Sequence, residues 1–267
     1  MKQNRDIRFP KVAIIDWGIG GISFYRILKA HYTTLPVVYF SDSGTTPYGK
    51  QSRSQLRSRL INIIHYLSNR GTGYLVVACN AMSTVLPQIE NKNLPKNFRL
   101  TGVITHTIKT LQSQQRLHRI GIVGGIRTIR SRAYQKPFIY SNQKIIQRIA
   151  QPVSAMIESG KMRTIGFDKT LDRIVQPLNK CDALVLACTH YTAASEIFEK
   201  KMPSVKIIDP CESTFRFVDQ SWKLKYIQEN RRADVFLTTG DPKKTRESIQ
   251  KAFSINTGAF QKIPLNL

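Results

Sequence analysis

Two cysteines close two short apolar runs, Tyr74-Leu-Val-Val-Ala-Cys79-Asn80 and Ala183-Leu-Val-Leu-Ala-Cys188-Thr189-His190, and a small polar residue comes directly after each. Runs of this length, rich in valine and leucine, read as buried parallel strands, which deliver the residues at their ends to the carboxyl edge of a sheet. A lone cysteine in such a place is most often an inert buried residue. Two at matching positions point to another use. Thiols facing each other across a bound molecule can take a proton from one face of a carbon and return one to the other, inverting a stereocentre. That chemistry requires one thiolate and one thiol at a time, and thiol acidity responds to neighbouring charge and to helix amino termini.

The elements that must place these cysteines form a repeat. Val12-Ala-Ile-Ile-Asp16 and Ile120-Gly-Ile-Val-Gly124 also read as short strands, each running into a glycine-containing turn. Asp16 and Gly124 lie 108 positions apart and Cys79 and Cys188 lie 109 apart, which predicts two related α/β halves with one cysteine each. Further strands are expected at 37–40, 100–104, 205–208 and 233–239, and helices at 105–115, 168–178, 213–227 and 242–253. An amphipathic helix is expected over 52–70, with Leu56, Leu60, Ile63, Ile64 and Leu67 on one face. Residues 144–149 fit a strand or a helix. This alternation predicts a doubly wound parallel sheet in each half, related by pseudo-symmetry, with the active site in the cleft where the carboxyl edges of the sheets meet. The polar, proline-containing stretch 93–98 predicts the junction. The first domain would comprise 1–97 plus 213–267 and carry Asp16 and Cys79; the second, 98–212, would carry Glu158, Cys188 and His190.

The 267 residues hold 41 Lys plus Arg against 17 Asp plus Glu, a formal charge of +24. No acidic residue occurs between Glu90 and Glu158, where twelve basic ones do. Such a block suits a polyanion, or draws small anionic substrates toward the surface. The basic residues are interleaved with helix and strand patterns and no nucleic-acid motif accompanies them, so nucleic acid is permitted as a partner without being favoured. No apolar run approaches the roughly 20 residues that cross a bilayer, and the first eleven residues are polar rather than signal-like; a soluble cytoplasmic protein without a membrane partner is expected. The four cysteines, Cys79, Cys181, Cys188 and Cys211, lack metal-ligand spacing and read as free thiols, with no metal expected and no role for Cys181 or Cys211. The glycine turn after Asp16 can face an anion, yet its spacing is not that of the dinucleotide fingerprint.

Five motifs in order resemble those of the cofactor-independent glutamate racemases of the aspartate/glutamate racemase superfamily. They are Ile15-Asp16-Trp17-Gly18-Ile19-Gly20-Gly21, Pro47-Tyr48-Gly49, Ala78-Cys79-Asn80-Ala81, Ile129-Arg130-Ser131-Arg132-Ala133-Tyr134 and Cys188-Thr189-His190-Tyr191, and the resemblance spans about 12–209. It implies a metal-free and pyridoxal-free 1,1-proton transfer at the α-carbon of an acidic amino acid, a homodimer, and D-glutamate supplied to peptidoglycan synthesis. It also implies that Cys79 and Cys188 are the acid/base pair, that Asp16 and His190 orient the thiols and contact the substrate ammonium, and that Glu158 supports them. Tyr48, Gly49, Asn80, Thr189 and Thr128 fall where the family holds the substrate carboxylates. Plainer readings stand beside these: Asp16 capping its helix, His190 as a bonded core histidine, Glu158 as a surface carboxylate, Tyr48 packing on its own turn. The chain departs from the family pattern at Trp17, which stands where a serine contacts substrate, and at Ala81 and Gly125, which each replace a threonine. Thr192 replaces a proline. Lost hydroxyls and an added indole alter the polarity and volume of a small pocket. They leave open a racemase for aspartate or another amino acid, or an inactive racemase-like protein that binds polyanions.

Overall fold

The computed structural model describes residues 8–227 and 233–266. The chain runs β1 (Val12–Asp16), α1 (Ile22–His31), β2 (Val37–Ser41), α2 (Arg53–Ser68), β3 (Tyr74–Val77), α3 (Asn80–Ser83), β4 (Arg99–Gly102) and α4 (Val103–Ser113). It continues through β5 (Arg119–Gly124), α5 (Ile126–Ser131), β6 (Lys144–Ile149), α6 (Gln151–Glu158), α7 (Ile165–Val175), β7 (Ala183–Ala187), α8 (Ser195–Lys201) and β8 (Lys206–Ile208). The last elements are α9 (Pro210–Trp222), β9 (Val235–Thr238), α10 (Pro242–Phe253) and β10 (Phe260–Lys262).

The strands form two parallel sheets, ordered β10-β9-β2-β1-β3-β4 and β6-β5-β7-β8. The run β2-β1-β3-β4 of the first sheet has the connectivity of β6-β5-β7-β8 in the second, which is the repeat read from the two cysteine-bearing segments. In each sheet the central strand is bracketed identically: β1 lies between β2 and β3 with Val12 opposite both Val37 and Tyr74, and β5 lies between β6 and β7. Cys79 and Cys188 therefore leave equivalent strands, β3 and β7, at equivalent edges.

Alternation along the strands feeds two cores. Ala13, Ile15, Val38, Phe40, Leu75 and Val77 face α2, whose Leu56, Leu60, Ile63, Ile64 and Leu67 are all fully buried against them. Each such side chain contributes about 2 kcal/mol before the entropy of ordering is set against it. A capping box starts this helix: the Ser52 hydroxyl accepts from the Gln55 amide and the Gln55 side chain accepts from the Ser52 amide. The opposite face of β1, with Val12 and Ile14, joins a core that continues into the second half. α9 makes that connection. Its N-cap Asp209 accepts from the Cys211 amide at 2.8 Å and from the Ser23 hydroxyl of α1 at 2.8 Å, and burial raises this carboxyl above the ordinary range. Further along, Phe217 of α9 stacks on His106 of α4, ring centres 3.8 Å apart.

One strand is reassigned. β4, expected to open the second half, hydrogen-bonds to β3, with Val77 opposite Gly102, and so belongs to the first sheet. The proline-containing stretch before it ends the crossover between two adjacent parallel strands, following 3-10 turns at Leu86–Gln88 and Asn91–Asn93, and does not link the sheets. Residues 144–149 form a strand because they are the exposed edge of the second sheet, where half-burial blurs the period. Directly after Cys79, α3 is a single turn that stops at Ser83, and the short edge strand β10 has no signal in the sequence pattern.

Candidate active site

Asp16 ends β1 and its carboxylate organises the adjoining turn. Oδ1 accepts from the Trp17 amide at 2.8 Å and Oδ2 from the Gly21 amide at 2.7 Å. The same Oδ2 accepts from the Thr189 hydroxyl of the other half at 3.2 Å. The turn can approach that closely only because residue 20 is glycine: a Cβ there would run into Thr189 Oγ1 and stand 2.8 Å from the His190 amide nitrogen. Asp16, 1% exposed, holds this turn rather than capping α1, which starts without a side-chain cap, and the same carboxylate reaches the other half.

Cys79 sits at the mouth of β3, 8% exposed. Burial pushes its thiol well above the ordinary cysteine range, and the adjacent Asp16 carboxylate pushes it the same way. The amide of Met82 in α3 pulls in the opposite sense, and the sulfur of Cys188 is near enough to act on it as well. The neutral thiol is therefore the stable form on this side.

Cys188 is half-buried at the mouth of β7, and its surroundings differ. His190 Nδ1 lies 3.9 Å from its sulfur, and His190 Nε2 is 2.5 Å from Glu158 Oε2. Burial alone would lower the imidazole, but Cys188 and Glu158 together override it and hold His190 well above its usual value, in the charged form. Gly18 of the first half lies over this pair; a Cβ there would be 3.4 Å from Glu158 Oε2 and 3.5 Å from His190 Nε2. Tyr191, the next residue, is wholly buried; burial first and Cys188 second keep its phenol protonated. Its hydroxyl meets no hydrogen-bond partner of ordinary geometry.

Around the thiols, Asn80 is buried with its Oδ1 accepting from the Tyr134 hydroxyl at 2.7 Å, while its Nδ2 has no partner among the described residues. The tyrosine thus orients the amide and leaves its donor free for a ligand carboxylate. Tyr48 is placed otherwise than its side chain suggested. Its phenol donates to Asp42 Oδ2 at 2.7 Å and is fully enclosed, so only the backbone of Tyr48 and Gly49 can address the cleft. Asp42 is itself gripped by Arg59 at 2.6 and 2.9 Å and by the Thr239 hydroxyl at 2.9 Å. Trp17 donates its indole N–H to the Thr45 carbonyl at 3.1 Å and packs, with Ala81, on the cluster containing Cys79 and Tyr48. Thr128 is buried in α5.

The structure thus joins Asp16, Cys79, Cys188, Thr189, His190 and Glu158 by direct contact or shared electrostatics, sets Asn80 and the Tyr48–Gly49 backbone beside them, and leaves Thr128 and Ala81 without a polar partner there. Sequence reasoning missed Tyr134 as a positioning group, although it lies in a quoted motif; an aromatic in an amphipathic stretch reads as core. It also missed Gln151, whose Oε1 accepts from the Ile126 amide at 3.2 Å where Gly125 offers no side-chain oxygen, and Arg127, whose Nε donates to the Tyr48 carbonyl at 3.0 Å across the cleft.

A family model described as Asp/Glu/Hydantoin racemase matches residues 14–218. The chain is 28% identical over 261 residues to a glutamate racemase of Bacillus cereus, covering 95% of this chain and 94% of that one. Among solved structures, a glutamate racemase of Bacillus anthracis superposes with a TM-score of 0.85 at 21% identity, covering 97% and 98% of the two chains. A glutamate racemase of Francisella tularensis in complex with D-glutamate gives 0.83 at 22% identity, covering 98% and 99%.

Proposed function

This chain belongs to the Asp/Glu/hydantoin racemase family, and we propose that it interconverts L- and D-glutamate through its two strand-end thiols. The observation that carries the reading is the pair itself: Cys79 and Cys188 leave equivalent strands of two sheets, with Cys188 close enough for its charge to reach the Cys79 thiol. A thiolate on one side takes the α-proton, forming an S–H bond and leaving the electron pair on the α-carbon. The thiol opposite gives its proton to the other face and becomes the thiolate. One S–H bond forms and one breaks, so protons and electrons balance, and the reverse reaction exchanges the roles.

The remaining groups suit an acidic amino acid. Asp16 offers a carboxylate to the substrate ammonium and the His190–Glu158 pair supports Cys188. Asn80 Nδ2 and the Tyr48–Gly49 backbone offer donors to carboxylates, and a buried unpartnered donor is costly until a ligand takes it. A cytoplasmic homodimer feeding D-glutamate to peptidoglycan synthesis completes the reading. Aspartate is the second reading, favoured by the indole of Trp17 packed against the Cys79 cluster.

Proton NMR of the protein with L-glutamate and then L-aspartate in deuterated water, with circular dichroism, tests both. Loss of the α-proton signal with inversion is expected on glutamate. Inversion of aspartate alone would transfer the assignment, and exchange on neither would overturn the racemase reading.

A further inference from the structure

Arg127 opens α5 in the second half and reaches across the cleft to the first. Its Nε donates to the Tyr48 carbonyl at 3.0 Å, and this contact joins α5 to the turn that carries Gly49. The side chain is half-buried, and its two terminal nitrogens have no hydrogen-bond or carboxylate partner among the described residues. Arg53, at the start of α2, acts on it with a charge of like sign; burial first and Arg53 second weaken its hold on its proton. A partly buried guanidinium beside a second cation, in a stretch of chain with no acidic residue from 91 to 157, lacks a counter-ion.

The turn it grips is the one beside Cys79, whose charge the buried Tyr48 phenol feels. Tyr48 lies within electrostatic reach of Cys79, so a substrate held at that thiol would lie beside the turn that Arg127 grips. The unused Nη1 and Nη2 form a planar fork that matches a carboxylate in bidentate fashion and an amide poorly.

We propose that Arg127 is the cationic ligand of the substrate's distal carboxylate and sets the preference for an acidic side chain over its amide. This rests on the racemase reading above. Arg127 takes no part in proton transfer, so its loss acts on binding and leaves turnover largely intact.

The test compares wild type with Arg127→Gln, Arg127→Lys and Arg53→Gln, reading KM and kcat for L-glutamate and L-glutamine and the calorimetric Kd for D-glutamate. Arg127→Gln should raise KM and Kd for glutamate by roughly 30-fold or more, the scale of a lost charged hydrogen-bond pair, with kcat within a few-fold and a much smaller rise in KM for glutamine, which reads only the lost Tyr48 contact. The lysine variant should recover part of the loss, and Arg53→Gln should change little. Equal losses on glutamate and glutamine, or a fall in kcat at constant KM, would overturn the proposal. Wild type that binds glutamate without exchanging its α-proton would fail the racemase reading, and the Kd comparison would still decide the role of Arg127. Wild type that binds no acidic amino acid would overturn both.

Discussion

Cys79 and Cys188 end equivalent strands in sheets of matching order, but their neighbours have diverged. Cys79 is enclosed and faces the Asp16 carboxylate, with a single backbone amide pulling the other way. Cys188 is more open and faces an imidazole that Cys188 itself and Glu158 together hold in the charged form. Burial beside a carboxylate favours the neutral thiol, whereas a nearby cation stabilises negative charge on sulfur. The repeat thus supplies two sulfurs at matched positions, and the divergence of their surroundings is what the proposed two-thiol reaction would use to tell one from the other.

The comparison can be broken most strongly at the sulfurs. Cys79→Ala and Cys188→Ala should each lower the rate of inversion by about 10³-fold or more, the upper part of the range for a positioned acid or base; polarimetry on glutamate measures it. Next in size is the support under the first half. Asp42 is fully enclosed and held by Arg59, so Asp42→Asn should cost about 3–5 kcal/mol in urea unfolding, because it leaves a charged partner buried without its counter-ion. It should also loosen the Tyr48 turn and raise KM for glutamate.

His190→Asn removes the charged ring from the Cys188 side and should reduce inversion by about 10²-fold. The folded-state pKa of this histidine is raised, so the stability it confers is full below the ordinary imidazole range and is lost as pH climbs through the raised value. Wild type should therefore be more stable than His190→Asn at mildly acid and neutral pH, with the gap closing on the alkaline side in urea titrations. The smallest effect is expected where the halves touch. Gly20→Ala places a Cβ against Thr189 and His190 and should cost about 1–3 kcal/mol, the scale of overpacking, with kcat falling as the turn withdraws.

Much of this is legible in the sequence because parallel strands with both faces covered are short, apolar and sharply ended. The runs before Asp16, Cys79 and Cys188 announce their own termini, and equal offsets announce the repeat. β4 reads as part of the wrong sheet because strand pairing is decided by the crossover's path, which a loop containing Pro95 does not reveal. Tyr48 shows which turn borders the cleft but not which way its ring points; that depends on Asp42 and Arg59, residues outside every motif. The unequal surroundings of the two cysteines are invisible for the same reason. Glu158 reaches His190 from another helix, and charge on the imidazole comes from Cys188 and that contact together rather than from residue type.

Hydrogen–deuterium exchange at the α-carbon, measured separately for L- and D-glutamate in the two single-cysteine variants, tests the two-thiol account most directly. The remaining thiol should exchange the proton on its own face without inversion, so Cys79→Ala and Cys188→Ala should each wash out the α-proton of one enantiomer, and not the same one. Exchange of the same enantiomer by both variants, or inversion at the wild-type rate by either, would contradict it.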